Sequence, residues 1–303
     1  VTDMYIAYAI VTWLSLTAFF AVRSLSRQWT PLVLDIAAAV VVLAIAGYAW
    51  FLWDNEVMAK WLPFSSLMVL GNWFPMGAAV MAAIVSNRLK EQGARRALPM
   101  GAMLCVGGFS SVYLVLGAAP QCGDLWSRDG ICFQTTQKTC SAACAATLLG
   151  QYGLPASEQE MAELCFTRKG TSWKGVYRGL KLKTTGSGLD VSADKISFDQ
   201  LAQLDRPVLI QVGIQQWESF GNSHGIELEE GWTPGTMHSV ICLGVINDDQ
   251  VLIADPNPAI GIEVWPRESL ERLWQGKALY LTEKGESHAG LIGDNLRDLY
   301  VIR

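Results

Sequence analysis

Gln134-Thr135-Thr136-Gln137-Lys138-Thr139-Cys140-Ser141-Ala142-Ala143-Cys144-Ala145-Ala146-Thr147-Leu148-Leu149-Gly150-Gln151-Tyr152-Gly153 is a polar loop that turns, at a cysteine, into a run of small and apolar residues. Ser141–Tyr152 reads as a helix: Ala and Leu are strong helix formers and the run holds no Pro. Thr136 or Thr139 is placed to cap it. Cys140 then stands at the helix N-terminus, where the dipole and the unpaired N–H groups favour thiolate over thiol. Gln134, six residues earlier, stays in the loop. Its side-chain amide, together with the Cys140 N–H, is placed to donate to an oxyanion forming beside the sulfur.

A thiolate at a helix start needs a base. The chain has three histidines: His224, His238 and His288. His238 opens the apolar run Ser239–Ile246, a turn follows at Asn247-Asp248-Asp249, and Gln250–Ala254 runs back to Asp255-Pro256. That pattern predicts a hairpin. A two-residue turn centred on Asn247–Asp248 or on Asp248–Asp249 pairs Asp255 with Val240 or with Cys242. Either partner shares a face with His238, so imidazole and carboxylate come within near-diagonal range. Asp255 can then fix the ring tautomer while His238 takes the thiol proton. A histidine opening a strand, an Asp-Pro after one and a cysteine in a helix are each commonplace. The order of Gln and Cys at a loop-to-helix junction, then His, strand, turn, strand and Asp, is far more specific. His224 and His288 lie in polar stretches and receive no role. Three histidines and scattered acids give no metal-ligand spacing, so no zinc site is expected.

On these residues the stretch from about Cys132 to Glu283 resembles the C39-type, papain-like cysteine peptidases, which include leader-processing domains carried by some export ATPases. The family's Gln, its Cys and its alanine-rich helix ending near Tyr-Gly match Gln134, Cys140 and Gln151-Tyr152-Gly153. Pro155 and the acidic stretch Ser157–Cys165 match its second helix. Gly170-Thr171-Ser172 opens a third, running through Val176–Leu180. Pro207–Ile214 resembles a substrate-side strand, His238–Gly244 the histidine strand and Asp255-Pro256 the Asp-Pro. The resemblance covers about half the chain. It implies Cys140 as nucleophile, His238 as base, Asp255 as orienter and Gln134 as oxyanion donor, with no cofactor. Three features depart from the pattern. The usual Asp-Cys-Gly reads Thr139-Cys140-Ser141, a long polar excursion (Gln215–Met237) precedes the histidine, and no Gly-x4-Gly-Lys-Ser/Thr nucleotide loop occurs. The excursion reads as a lid or exosite, or as a solvated loop.

Upstream the chain changes character. Residues 1–120 contain four long apolar runs, roughly Met4–Val22, Pro31–Trp53, Trp61–Val85 and Ala97–Ala119. Each approaches or exceeds the ~20 residues that cross a hydrocarbon core, and Tyr5, Trp50, Trp53 and Trp61 stand near run ends as interfacial rings do. Arg23 and Arg27 lie in the first loop, and Arg88, Lys90, Arg95 and Arg96 in the third. The second carries Asp54, Glu56 and Lys60. The positive-inside rule therefore puts loops one and three in the cytoplasm and everything after Pro120 outside. The first run lacks a basic n-region and a clear cleavage site, and reads as a retained helix. Asp35 lies within one turn of the second run's start, within reach of the interface.

Residues 1–120 hold 7 Lys+Arg and 5 Asp+Glu, leaving 16 and 23 after them. An acidic C-terminal part argues against nucleic acid as partner. Cys122 and Cys132 flank a polar opening segment and are candidates for a disulfide outside the cytoplasm. Cys144 and Cys165 are either a second bridge or two small buried residues. An odd count of seven cysteines leaves at least one thiol unpaired, and Cys140 is the candidate.

The expected architecture is a membrane α-helical region of four transmembrane helices (1–120) followed by an α+β papain-like cysteine peptidase domain with an antiparallel sheet (121–303). The expected function is a peptidase anchored in a bacterial plasma (inner) membrane with its C-terminal domain outside the cytoplasm. Its partners would be a peptide or protein substrate and the lipid bilayer. The alternative is a membrane protein that binds a peptide or leader without cutting it.

Overall fold

The structure, a computed structural model, describes residues 2–215 and 232–286. Most of the polar excursion, both His224 and His288, and the apolar tail Leu299–Ile302 lie outside the described residues. The chain divides into two compact units, Val1–Gly117 and Ala118–Arg303.

The first unit is helical. Helix α1 (Thr2–Leu25) is followed by α2 (Pro31–Gly47), which Pro31 starts at the first helical position and Thr30 caps. Two short helices, α3 (Val57–Trp61) and α4 (Leu67–Leu70), precede α5 (Phe74–Arg88) and α6 (Ala97–Val112). Among the described residues, three stretches are long and apolar enough to cross a membrane: Thr2–Gln28, Pro31–Leu52 and Leu67–Arg88. The third starts later than the sequence suggested, because the chain breaks around Pro63 before Leu67. The fourth apolar run is α-helical over only 16 residues, and a 3-10 turn (Tyr113–Val115) extends it. Leu116 is then extended and Gly117 adopts φ +102°, so the helix ends well before Ala119. Asn87 Nδ2 donates to the Arg23 carbonyl and to Ser26 Oγ, and Arg88 pairs with Asp35 at 2.8 Å. Those contacts gather the first loop, the start of α2 and the end of α5, with their arginines, at one end of the unit. Asp35 is a partner in a charge pair there.

The second unit is built on a six-stranded sheet in the order β3-β8-β4-β5-β6-β7, with every neighbouring pair antiparallel. The strands are β3 (Leu189–Lys195), β4 (Val208–Val212), β5 (His238–Asn247), β6 (Gln250–Ala254), β7 (Ile262–Pro266) and β8 (Trp274–Glu283). A two-stranded ribbon, β1 (Leu125–Trp126) with β2 (Cys132–Phe133), stands apart from it. Alternation sorts the central strands between two packed faces. Val208, Ile210, Val212, Val240 and Cys242 join α10 (Phe198–Gln203) and α11 (Arg267–Leu273) in one buried core. Ser239 and Ile241 turn the other way, toward α7 (Cys140–Gln151). Helix α7 is buried from Ser141 to Leu149. Its alanines let it lie close against β5 on one side and against α8 (Glu158–Leu164) and α9 (Trp173–Lys183) on the other. Ser157 and Ser172 cap α8 and α9, accepting from Glu160 N and Gly175 N.

All seven cysteines are free thiols. Cys122 Sγ turns to the Pro120 carbonyl and Cys132 Sγ to that of Phe133, so the first disulfide is not formed. Cys144 donates to the Ser239 carbonyl at 3.1 Å. Cys165 lies in the α8–α9 contact, where a Cβ on Gly179 would come within 2.4 Å of its sulfur. The two thiols thus face different neighbours, and the buried-thiol reading holds for this pair.

Candidate active site

Four chain segments meet at the N-terminus of α7. Cys140 is the first residue of that helix and is half-buried. Neither threonine acts as the expected side-chain cap. Thr139 Oγ1 instead closes a local ring with Thr136, accepting from its N–H at 3.2 Å and donating to its carbonyl at 3.0 Å. The first-turn N–H groups of α7 are therefore left without a side-chain partner at the end that carries the thiol.

His238 begins β5 and Asp255 follows β6. The turn between them is Asp248–Asp249, since Asn247 pairs with Gln250. A regular ladder from that turn would set Asp255 opposite Cys242. Two register shifts intervene, between Val245 and Asn247 and between Cys242 and Gly244, so that Ile241 pairs with Ala254. Continuing that register puts Asp255 opposite Val240, two residues from His238 instead of four. His238 Nε2 then lies 3.0 Å from both carboxylate oxygens of Asp255. Asp255 is only 3% exposed, and its Oδ1 also accepts from Asn257 N at 2.7 Å.

The electrostatics single out one sulfur. Burial opposes ionisation of Cys140, but the hydrogen bond and charge of His238 act against it. Contributions from the Ser239 backbone and the Ser141 side chain add to theirs, and the thiol is held below its ordinary value. Burial likewise opposes protonation of His238. Its hydrogen bonds to Asp255 and Cys140, and their charges, overcome that and lift the imidazole to about 10. Both directions favour a thiolate–imidazolium pair over the neutral pair. Burial pushes the other five thiols of this unit up: Cys122 and Cys242 to about 11, Cys132 and Cys165 to about 12, and Cys144 well above its usual value.

Gln134 sits at the edge of this group. Its N–H donates to the Pro256 carbonyl at 2.7 Å, tying its loop to the residue after Asp255. Its Nε2 donates to the Thr136 carbonyl at 3.3 Å, while its buried Oε1 has no hydrogen-bond partner among the described residues. The fold thus brings Cys140, His238 and Asp255 into one contact chain and holds Gln134 against the Asp255-Pro256 turn.

Two contributors escaped the sequence reading. Ser141, where the C39 pattern has Gly, shares a buried 2.7 Å hydrogen bond with Ser239, the residue after His238. That bond pins the helix that Cys140 opens to the strand that His238 opens, across 98 residues of sequence, and no local signal announces it. Trp232 packs edge-on against the His238 ring, with 6.5 Å between centroids, and against Trp265 at 6.2 Å. A tryptophan near the end of an otherwise polar excursion, six residues before the histidine, was the available signal. No group of His, Cys, Asp and Glu among the described residues is arranged to hold a metal ion.

Residues 128–221 match the sequence model of the Peptidase C39 family, a span that holds Gln134 and Cys140 and ends before His238 and Asp255. No curated protein matches the chain. Solved structures similar to it include the peptidase domain of Streptococcus ComA, described as a bi-functional ABC transporter involved in a quorum-sensing pathway. Identity is 21% and the TM-score 0.40, over 50% of this chain and 96% of that one. A double-glycine-motif protease from an AMS/PCAT transporter, solved with leader peptide, is 17% identical, with a TM-score of 0.37 over 56% of this chain and 96% of its own. The N-terminal peptidase C39-like domain of a toxin secretion ATP-binding protein from Vibrio parahaemolyticus is 11% identical, with a TM-score of 0.34 over 49% and 99%. The chain thus joins three apolar N-terminal helices to a unit of which residues 128–221 match the Peptidase C39 family model.

Proposed function

We propose that this chain is a membrane-anchored cysteine peptidase whose domain, residues 121–303, cleaves a peptide or protein substrate with Cys140, His238, Asp255 and Gln134. The observation that carries the reading is the continuous path from Asp255 through His238 to Cys140, with the imidazole lifted to about 10 and the thiol pushed down. The Cys140 thiolate attacks the scissile carbonyl, forming the S–C bond and an oxyanion. The Gln134 amide, turned off the Thr136 carbonyl, and the Cys140 N–H donate to that oxyanion. The imidazolium gives its proton to the departing amine as the C–N bond breaks. Water, deprotonated by the now neutral His238, then attacks the acyl carbon, the S–C bond breaks, and the acid leaves with the thiolate–imidazolium pair restored. Asp255 holds the ring orientation and offsets the imidazolium charge throughout.

The membrane part belongs to the same reading. Helix α6 and its 3-10 turn comprise 16 and 3 residues. At ~1.5 and ~2.0 Å per residue they reach about 30 Å, enough for a fourth span. The arginines gathered at one end of the helical unit support a cytoplasmic position for that end, and a catalytic domain outside the cytoplasm of a bacterial inner membrane.

Two measurements test the two parts. Labelling with iodoacetamide at pH 6–7, read by mass spectrometry of the whole chain, is expected at Cys140 in the wild type and lost in Cys140→Ala. In His238→Ala it should weaken sharply. A wild-type Cys140 that titrates like an ordinary thiol, near ~8.5, speaks for peptide binding without cleavage and sinks the enzymatic reading. Protease added to intact spheroplasts is expected to digest the C-terminal domain; protection would place it in the cytoplasm.

A further inference from the structure

Glu158 is fully buried at the first residue of α8, yet it belongs to none of the groups that touch the reacting atoms. Both of its carboxylate oxygens accept from the same residue, Thr135, and its side chain also reaches the Cys122 thiol. Oε1 accepts from Thr135 N at 2.8 Å and Oε2 from Thr135 Oγ1 at 2.7 Å. Thr135 is the residue after Gln134. Its hydroxyl also accepts from Gly123 N at 2.8 Å, and the adjoining Cys122 N–H donates to Gln159 Oε1 at 2.8 Å. On its other side Gln134 is held by its own N–H on the Pro256 carbonyl. The backbone around the amide donor is therefore gripped from two directions, by the Asp255-Pro256 turn and by the α8 carboxylate.

We propose that Glu158 is a positioning residue for the oxyanion donor: it fixes the Thr135 backbone and so sets where the Gln134 amide points when a carbonyl is attacked. The proposal rests on the peptidase reading given above. A buried carboxylate that accepts two hydrogen bonds from a single residue constrains both the position and the rotation of that residue. An oxyanion donor misplaced by about 1 Å loses up to ~100-fold in rate, and one removed outright ~100–1,000-fold. Glu158→Gln keeps the shape of the side chain. It leaves one acceptor for Thr135's two donors and turns an NH2 group on the other.

The full chain in detergent, with p-nitrophenyl acetate as acyl donor, provides the test. The thiolate forms an S–C bond to the acetyl carbon, the ester C–O bond breaks and p-nitrophenolate leaves as a burst. Glu158→Gln is expected to slow the burst about tenfold or more at saturating ester, with KM little changed. Iodoacetamide alkylation of Cys140 needs a thiolate but develops no oxyanion, so its rate and pH midpoint should not move. In a Gln134→Ala background Glu158→Gln should cost almost nothing further. Thr135→Val, which deletes the hydroxyl and keeps the N–H, should slow the burst in the same direction by less, and it carries the test if Glu158→Gln does not fold. An unchanged burst in the folded variant, or the same factor lost with and without Gln134, overturns the proposal and leaves the peptidase reading standing. No burst from the wild type removes that reading and this proposal together.

Discussion

Replacing Asp255 by Asn tests the electrostatic core of the site. The carboxylate faces His238 Nε2 at 3.0 Å through both oxygens and is almost wholly buried. Unit charges about 4 Å apart interact by about 4 kcal/mol at an effective dielectric of about 20. The His238 side chain remains 23% exposed, and Asn keeps an acceptor on Nε2, so half of that figure is the appropriate scale. A loss of ~2 kcal/mol is about 30-fold in the equilibrium that forms the thiolate–imidazolium pair. The sign follows from the wild type, where Cys140 is pushed down and His238 up. Weakening the imidazolium lowers the pH at which His238 gives up its proton, so the alkaline limb of peptide turnover, which falls through about 10 in the wild type, should move down by about 1.5 pH units. Cys140 alkylation at high pH should stay, because the thiolate there no longer depends on its partner. Turnover rates across about pH 6 to 11, with circular dichroism as a fold check, provide the measurement. An unmoved limb in a folded Asp255→Asn protein would show that the carboxylate does not support the pair, and the chain of inference from hairpin register to chemistry would fail.

Three further outcomes follow from named contacts. Ser141→Ala leaves the Ser239 hydroxyl buried beside a methyl group. It should destabilise the domain by ~1–3 kcal/mol in urea unfolding and raise the alkylation midpoint of Cys140; retained stability would mean the pair is dispensable. Gly213 ends β4 at φ +147°, and a Cβ there would sit 2.8 Å from the carbonyl of Thr236, two residues before His238. Gly213→Ala should cost ~1–3 kcal/mol and slow acylation more than it weakens binding, with equal losses in both pointing to simple unfolding. Finally, in the proposed mechanism His238 carries the proton that releases the leaving amine, and that proton is lost as the pH rises through about 10. Turnover of a peptide substrate should therefore fall on that limb while alkylation does not, and parallel decline of both would indicate alkaline unfolding.

What the sequence made legible was local. The alanine-rich helix α7 and the β5–β6 hairpin follow from propensity and turn residues close to each other in the chain, while α8 and α9 were expected from the family resemblance. The strand β3 carries a period-two signal in Leu189, Val191 and Ala193 that the sequence reading does not use, and its intervening Ser192 and Asp194 are buried too, so the strand packs on both faces. Asp194 is satisfied by the Tyr280 hydroxyl, 86 residues away, which no local pattern reveals. Helix α10 did carry a signal that was passed over: Ser197 and Gln200 form a capping box. The hairpin register was left open between Val240 and Cys242, since bulges depend on packing against both faces of the sheet. The residue types of the site were visible in order and spacing. Its supporting bonds from Ser141, Ser239 and Glu158 were not, because each joins segments that meet only in the folded domain.

Cys144 shows why placement, more than residue type, decides the chemistry. It lies one turn beyond Cys140 on the same helix, turned toward the same strand, and donates to the carbonyl of Ser239. A thiol that donates to a carbonyl is stabilised as the thiol. Burial and the neighbouring Cys140 and Asp255 charges push it further from ionisation. Cys140 stands at the uncapped first turn and meets the imidazole instead of a carbonyl. A shift of α7 along β5 by one turn, about 5.4 Å, would exchange these environments and bury the wrong sulfur beside His238. The Ser141–Ser239 bond opposes that slip, since both hydroxyls are buried and neither has a comparable partner one turn away. Ser141 is, on this argument, what keeps Cys140 and His238, the proposed nucleophile and base, in register.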